Sequence, residues 1–127
     1  MEYKNIGRLS NIEFLESEFG ILATDELILT DERDAHIKQR HDQYYILFCQ
    51  CVREVIRMPD MILKDSKNQN TVFCIKYIEE THLNIVVRLS LEVEGADRKN
   101  SVITSYQLGA KTLKRLIKNN KTLYNKD

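Results

Sequence analysis

The hydrophobic pattern changes period twice along the chain. Residues 3–9 carry a short apolar run around Ile6 and Leu9, which predicts a strand. Ser10 and Glu13 have capping-box spacing. Ile12, Phe14, Leu15 and Phe19 follow, and Gly20 is a natural stop, so a short helix is predicted next. Leu27, Ile28 and Leu29 form a brief apolar run that reads as a second strand. Thr30 then caps a helix whose first turn holds Asp31, Glu32 and Asp34, where the helix dipole favours anions. Ile37, His41, Tyr44, Phe48, Cys51 and Val55 recur at steps of three and four, an amphipathic stripe with His41 as its one polar member. Nothing interrupts it before Met58-Pro59, where proline ends the helix. The segment is either one long helix or two meeting near Asp42.

Past Pro59 the period falls to two. Met61, Ile62 and Leu63 are a short apolar run, residues 64–70 a polar turn, and residues 72–78 a strand closed by a hairpin turn at residues 79–82. Ile85, Val87, Leu89, Leu91 and Val93 then alternate with Asn84, Val86, Arg88, Ser90, Glu92 and Glu94, as in a sheet with one buried and one mostly polar face. Gly95, Ala96 and Asp97 turn the chain. Residues 101–106 form another strand, and residues 111–120 a short helix with Leu113, Leu116 and Ile117 inward. Helices followed by an antiparallel meander predict one α+β domain over residues 1–127, its long helix on the apolar face of a sheet.

Composition changes this picture little. At 127 residues, 43% hydrophobic and 30% charged, the chain is long enough for one core and too apolar for disorder. No apolar run is long enough to cross a bilayer, and the N-terminus has no signal-peptide character. Cys49, Cys51 and Cys74 are odd in number and lack framework spacing, so they read as reduced thiols of a cytoplasmic-type protein. Charge adds more. The net is zero, yet residues 1–34 carry nine acids against three bases, and residues 98–127 eight bases against one acid. Such asymmetry makes one surface attractive to polyanions, or simply keeps a basic helix solvated.

The candidate chemistry centres on residues 34–41. Histidine exchanges protons near neutrality, and Arg40, one turn after His36, adds a permanent anion clamp to the same face. His36 and His41 lie five apart, roughly 140° around a helix, unlike the i, i+4 pair of a zinc site. His36 therefore falls on the exposed flank and His41 on the packing stripe. The plainer accounts are a surface histidine and a satisfied core histidine. Thr104 and Tyr106 share one strand face, where their hydroxyls suit phosphate oxygens or the phenol stacks on a base; both are also simply good strand formers. Arg88 on the polar strand face and Lys111, Lys114, Arg115 and Lys118 on the last helix complete a basic set.

The run from His36 through Arg40 to His41, the helix closed at Met58-Pro59-Asp60-Met61-Ile62, the alternating strands, and the segment from Asn100 to Tyr106 together resemble the barnase/EndoU/colicin/RelE-like (BECR) nuclease superfamily. They are most similar to its phage- and mobile-element-associated branches, over roughly residues 25–110. The resemblance implies N-terminal helices packed on one face of a four-stranded antiparallel sheet, with a short C-terminal helix. It implies a cytoplasmic, metal- and cofactor-independent ribonuclease of toxin-like or phage-derived kind, with RNA as substrate and an inhibitor or immunity protein as candidate partner. His36, Arg40, His41, Thr104 and Tyr106 carry the matching catalytic positions. Arg88, Lys111 and Lys114 are added here as RNA contacts without motif support. In the expected reaction the 2′-hydroxyl attacks its own phosphodiester, giving a 2′,3′-cyclic phosphate and a free 5′-hydroxyl. The competing readings are a non-catalytic module that binds RNA or a protein through the same face, and a protein whose histidines are structural.

Overall fold

The computed structural model describes residues 2–95 and 98–127. Its elements run β1 (Tyr3–Arg8), α1 (Ile12–Phe19), β2 (Glu26–Thr30), α2 (Asp31–Arg40), α3 (Asp42–Arg57), β3 (Met61–Lys64), β4 (Thr71–Ile78), β5 (Thr81–Arg88), β6 (Asn100–Leu108), α4 (Ala110–Asn119) and β7 (Thr122–Asn125). The strands form one seven-stranded mixed sheet in the order β1-β2-β6-β5-β4-β3-β7. All neighbours are antiparallel except β2 and β6, whose parallel contact spans only Leu27↔Asn100 and Ile28↔Ser101.

This corrects the expected four-stranded antiparallel sheet with helices on one face. The physical reason lies in β4, where Thr71 to Ile75 are all buried. Such a continuous run needs cover on both sides. Val72 and Cys74 join Phe48, Val52, Val55 and Ile56 of α3 on one face. Phe73 and Ile75 meet Leu113 and Leu116 of α4 on the other. The C-terminal helix thus closes the second face, and β7 after it adds an edge strand beside β3. Ile117, expected inward, is 39% exposed.

Two local differences, and the choice between one helix and two over residues 37–55, have identifiable causes. The stripe over residues 37–55 is two helices, because His41 takes φ −133° and ψ 44°, outside the helical region. Its N–H still donates to Ile37 O and its carbonyl accepts from Tyr44 N, so the joint stays bonded while the helical phase resets. Ser10 caps nothing; its hydroxyl donates to Ile56 O, tying α1 to α3, and Asn11 precedes α1 in a left-handed conformation. The alternation expected through Val93 stops at Arg88. Glu94 folds back to accept from Leu91 N and to meet Arg88, leaving Val93 92% exposed. In the turn expected at residues 95–97, Ala96 and Asp97 lie outside the described residues.

The opposite charges of the two chain ends partly neutralise each other. Glu18 pairs with Lys121 at 2.6 Å and Lys64 at 3.0 Å, and Glu26 with Lys99 at 2.7 Å. Asp60, just past Pro59, clamps three strands: it accepts from Tyr77 N at 2.8 Å and faces Lys76 and Lys126. Burial opposes its ionisation, but that amide and the two ammonium groups outweigh burial and hold the carboxyl below its ordinary value. A lowered folded pKa stabilises above the unfolded value of about 3.9, and the gain is lost as pH falls through the folded pKa. Asp60→Asn is expected to cost about 1–3 kcal/mol at neutral pH. Urea unfolding near pH 3 should show the gap to wild type shrinking.

Candidate functional site

Because β2 leaves β6 after two residue pairs, α2 takes its place along the far half of β6. The end of α2 therefore reaches the sheet from its edge. The His41 ring lies 5.9 Å from the Tyr106 ring, centroid to centroid, tilted by 37°. Tyr106 belongs to the face covered by α4, beside a cavity of about 420 Å³. Phe73, Val86, Ile103 and Leu116 supply apolar wall, and Thr104, Tyr106, Asp65, Lys67 and Arg115 supply polar groups.

A slip in the β5–β6 register builds this wall. Val86 faces Thr104 and Val87 faces Val102, leaving Ile103 as the extra residue. That bulge lets the consecutive Ile103 and Thr104 both line the cavity. The loop on the far side is pinned. Asp65 accepts from Lys67 N at 2.9 Å and from Asn68 Nδ2 at 2.8 Å. Ser66 N donates to Asn120 Oδ1 at the end of α4.

Polar groups beneath Tyr106 are left unmatched. Asn84, opposite Tyr106 in the ladder and fully buried, has neither carboxamide atom in a hydrogen bond, and the buried Thr104 Oγ1 has no partner. Each such group costs about 1–3 kcal/mol. Burial pushes the Tyr106 phenol above its ordinary value, with the nearby Asn84 carboxamide opposing and the Asp65 charge adding. The phenol thus stays protonated and can donate. Among the described residues, neither Lys67 nor Arg115 has a carboxylate partner, so both keep their charge for a ligand.

The residues singled out from the sequence separate into groups. His41 and Tyr106 come together, and Thr104 lines the cavity with Tyr106, while His41 itself does not line it. His36 is half-buried on α2 and Arg40 is exposed at its end; neither lines the cavity. Arg88 is engaged with Glu94 at 3.0 Å and Leu89 O at 2.9 Å, in a separate recess with Ser90 and Ser101. Lys111 and Lys114 are exposed on α4 and also miss the cavity. Arg115, although exposed, lines the cavity with Thr112 and Leu116. The basic set on the last helix included Arg115; Asp65 and Lys67, in a polar turn, had no signal. Away from the site, burial pushes the Cys74 thiol up to about 12, as expected of an inert core cysteine.

No protein-family model, curated protein or solved structure matches the chain. No helix of the described residues is long and apolar enough to cross a membrane.

Proposed function

We propose that this protein is a metal-independent endoribonuclease whose reaction takes place at Tyr106. The observation that carries the reading is the contact of an imidazole with a proton-donating phenol beside a cavity holding two unpaired cations. RNA carries its own nucleophile, so the protein need only move protons and stabilise charge on the five-coordinate phosphorus. His41 takes the proton from the 2′-hydroxyl as the 2′-oxygen bonds to phosphorus. Tyr106 donates to a non-bridging oxygen, with Arg115 and Arg40 supplying positive charge on either side. The bond to the 5′-oxygen breaks, and His36, earlier on α2, is the candidate donor to that leaving group. The products are a 2′,3′-cyclic phosphate and a 5′-hydroxyl.

The test is end-labelled RNA incubated with the protein in EDTA. Cleavage that leaves cyclic phosphate ends supports the reading, and 5′-phosphate products would sink it. The mostly apolar wall of the cavity favours a second reading, a module that binds RNA or a protein without cutting. Retention of RNA with no cleavage from pH 5 to 8 would select it. A toxin-like role with a dedicated inhibitor follows if expression arrests growth of a host and the His41→Ala variant does not.

A further inference from the structure

We infer that the recess where β2 parts from β6 binds a small free oxyanion of the inorganic phosphate kind, at a place separate from Tyr106. The site stands whether or not the protein cuts RNA. Ser101 marks the fork: it neighbours Ile28 in the short parallel ladder and Arg88 in the β5–β6 ladder. Arg88 follows Asn84, the rung of Tyr106, by four residues on β5. That is about 13 Å at the usual strand rise. The recess has a volume of about 270 Å³. This is below the ~300–1,000 Å³ of pockets for drug-sized ligands, so it suits a small ion better than a nucleotide.

Arg88, Arg98 and Lys99 line the recess against one acid, Glu94. Lys99 is shared with Glu26 at 2.7 Å, so the two arginines carry the positive charge. Glu94 is already committed, with one oxygen accepting from Leu91 N at 3.1 Å and the other from Arg88 Nη2 at 3.0 Å. The Leu91 amide first, then Arg88 and Arg98, hold its carboxyl below the ordinary value, so it stays an ionised clamp on the guanidinium. Glu94 and Leu89 O take two of Arg88's five N–H donors. Ser90 makes the recess more than a basic patch. It is 3% exposed, its N–H donates to Asn100 Oδ1 and its carbonyl accepts from Ala23 N, yet its hydroxyl has no partner. A buried hydroxyl left unmatched is costly, and an anion oxygen is the acceptor it lacks. Thr30, whose Oγ1 accepts from Arg33 N, keeps its O–H to donate, and Ser101 adds another. A bound anion thus bridges β2, β5 and β6 where the ladder between β2 and β6 is shortest.

The experiment is a titration of the intact protein with sodium phosphate, with ionic strength held constant by sodium chloride. NMR shifts of the amides of residues 88–90 and 98–101 and the melting temperature are followed together. The expected result is saturable shifts centred on those amides and a rise in melting temperature that chloride alone does not give. Ser90→Ala should weaken phosphate about tenfold, the worth of one hydrogen bond to a charged group. Without phosphate it should melt no lower than wild type, because its hydroxyl has no partner to lose. Arg88→Gln should weaken phosphate at least tenfold. If that change loosens the Glu94 turn, Ser90→Ala still decides. Shifts that match those of chloride, or wild-type affinity in Ser90→Ala, overturn the site. A short RNA made uncleavable by 2′-deoxy substitution separates the two sources of phosphate. Phosphate affinity unchanged in its presence supports the free ion, and displacement of phosphate by the strand overturns that assignment.

Discussion

Replacing His41 by alanine is expected to slow RNA cleavage in EDTA by about 10²–10⁴-fold, the usual worth of one positioned proton-transfer group. The effect should appear in kcat and leave folding intact. His41 holds the α2–α3 joint through its backbone N–H and carbonyl, which alanine retains. Its side chain makes no hydrogen bond among the described residues, so its loss strips the imidazole without unpinning the helices. His36→Ala should cost less, because it is the His41 ring that meets Tyr106. Tyr106→Phe keeps the ring against His41 and removes only the donated hydroxyl. A loss of about 10²–10³-fold is expected, as for one oxyanion donor. The raised phenol remains protonated well past neutrality. The rate should therefore show no alkaline fall from tyrosine below its ordinary range. Wild-type rates in both variants would leave only the binding module or a structural role for these side chains.

How much of this was legible beforehand depends on how locally each feature is encoded. Elements set by nearby residues could be read: the Thr30 cap, the break at Pro59, the β4–β5 hairpin and the terminal helix. Features that need a distant partner could not. Nothing in Leu27, Ile28 and Leu29 announces a parallel partner at Asn100 and Ser101, and nothing in Thr122 to Asn125 announces an edge place beside β3. The Asn84–Arg88 face was read as polar and open, yet α4 covers part of it, because Val86 in that row continues the apolar patch of Phe73 and Ile75. At the site, Thr104 and Tyr106 could be paired from strand alternation. His41 was assigned to the packing stripe from its spacing, with one helix or two meeting near Asp42 both open. The non-helical torsions at His41 itself break the helical phase, and its ring lies against Tyr106.

The largest stability loss is expected at another residue whose role depends on a distant contact. Asn100 is fully buried where β2 and β6 run parallel. Its Oδ1 accepts from Ser90 N at 2.8 Å, and its Nδ2 donates to Thr24 O and Glu26 O, both at 2.8 Å. One carboxamide thus satisfies three backbone groups, two from the segment entering β2, 76 and 74 residues away, and one from the turn after β5. With only two residue pairs between β2 and β6, the ladder itself supplies little there. Asn100→Ala leaves those groups unmatched in a space too confined for easy rehydration. At about 1–3 kcal/mol for each unsatisfied group, partly relieved by relaxation, the expected cost is about 3–5 kcal/mol. Asn100→Asp keeps the acceptor for Ser90 N but sets a carboxylate against two carbonyl oxygens, so it should be no milder at neutral pH. Urea unfolding of both variants checks this, and a loss below about 1 kcal/mol would mean that water replaces the side chain. The same joint positions α2 along β6, and through α2 it brings His41 to Tyr106. Asn100→Ala protein that remains folded should therefore also lose cleavage, although Asn100 touches none of the reacting groups.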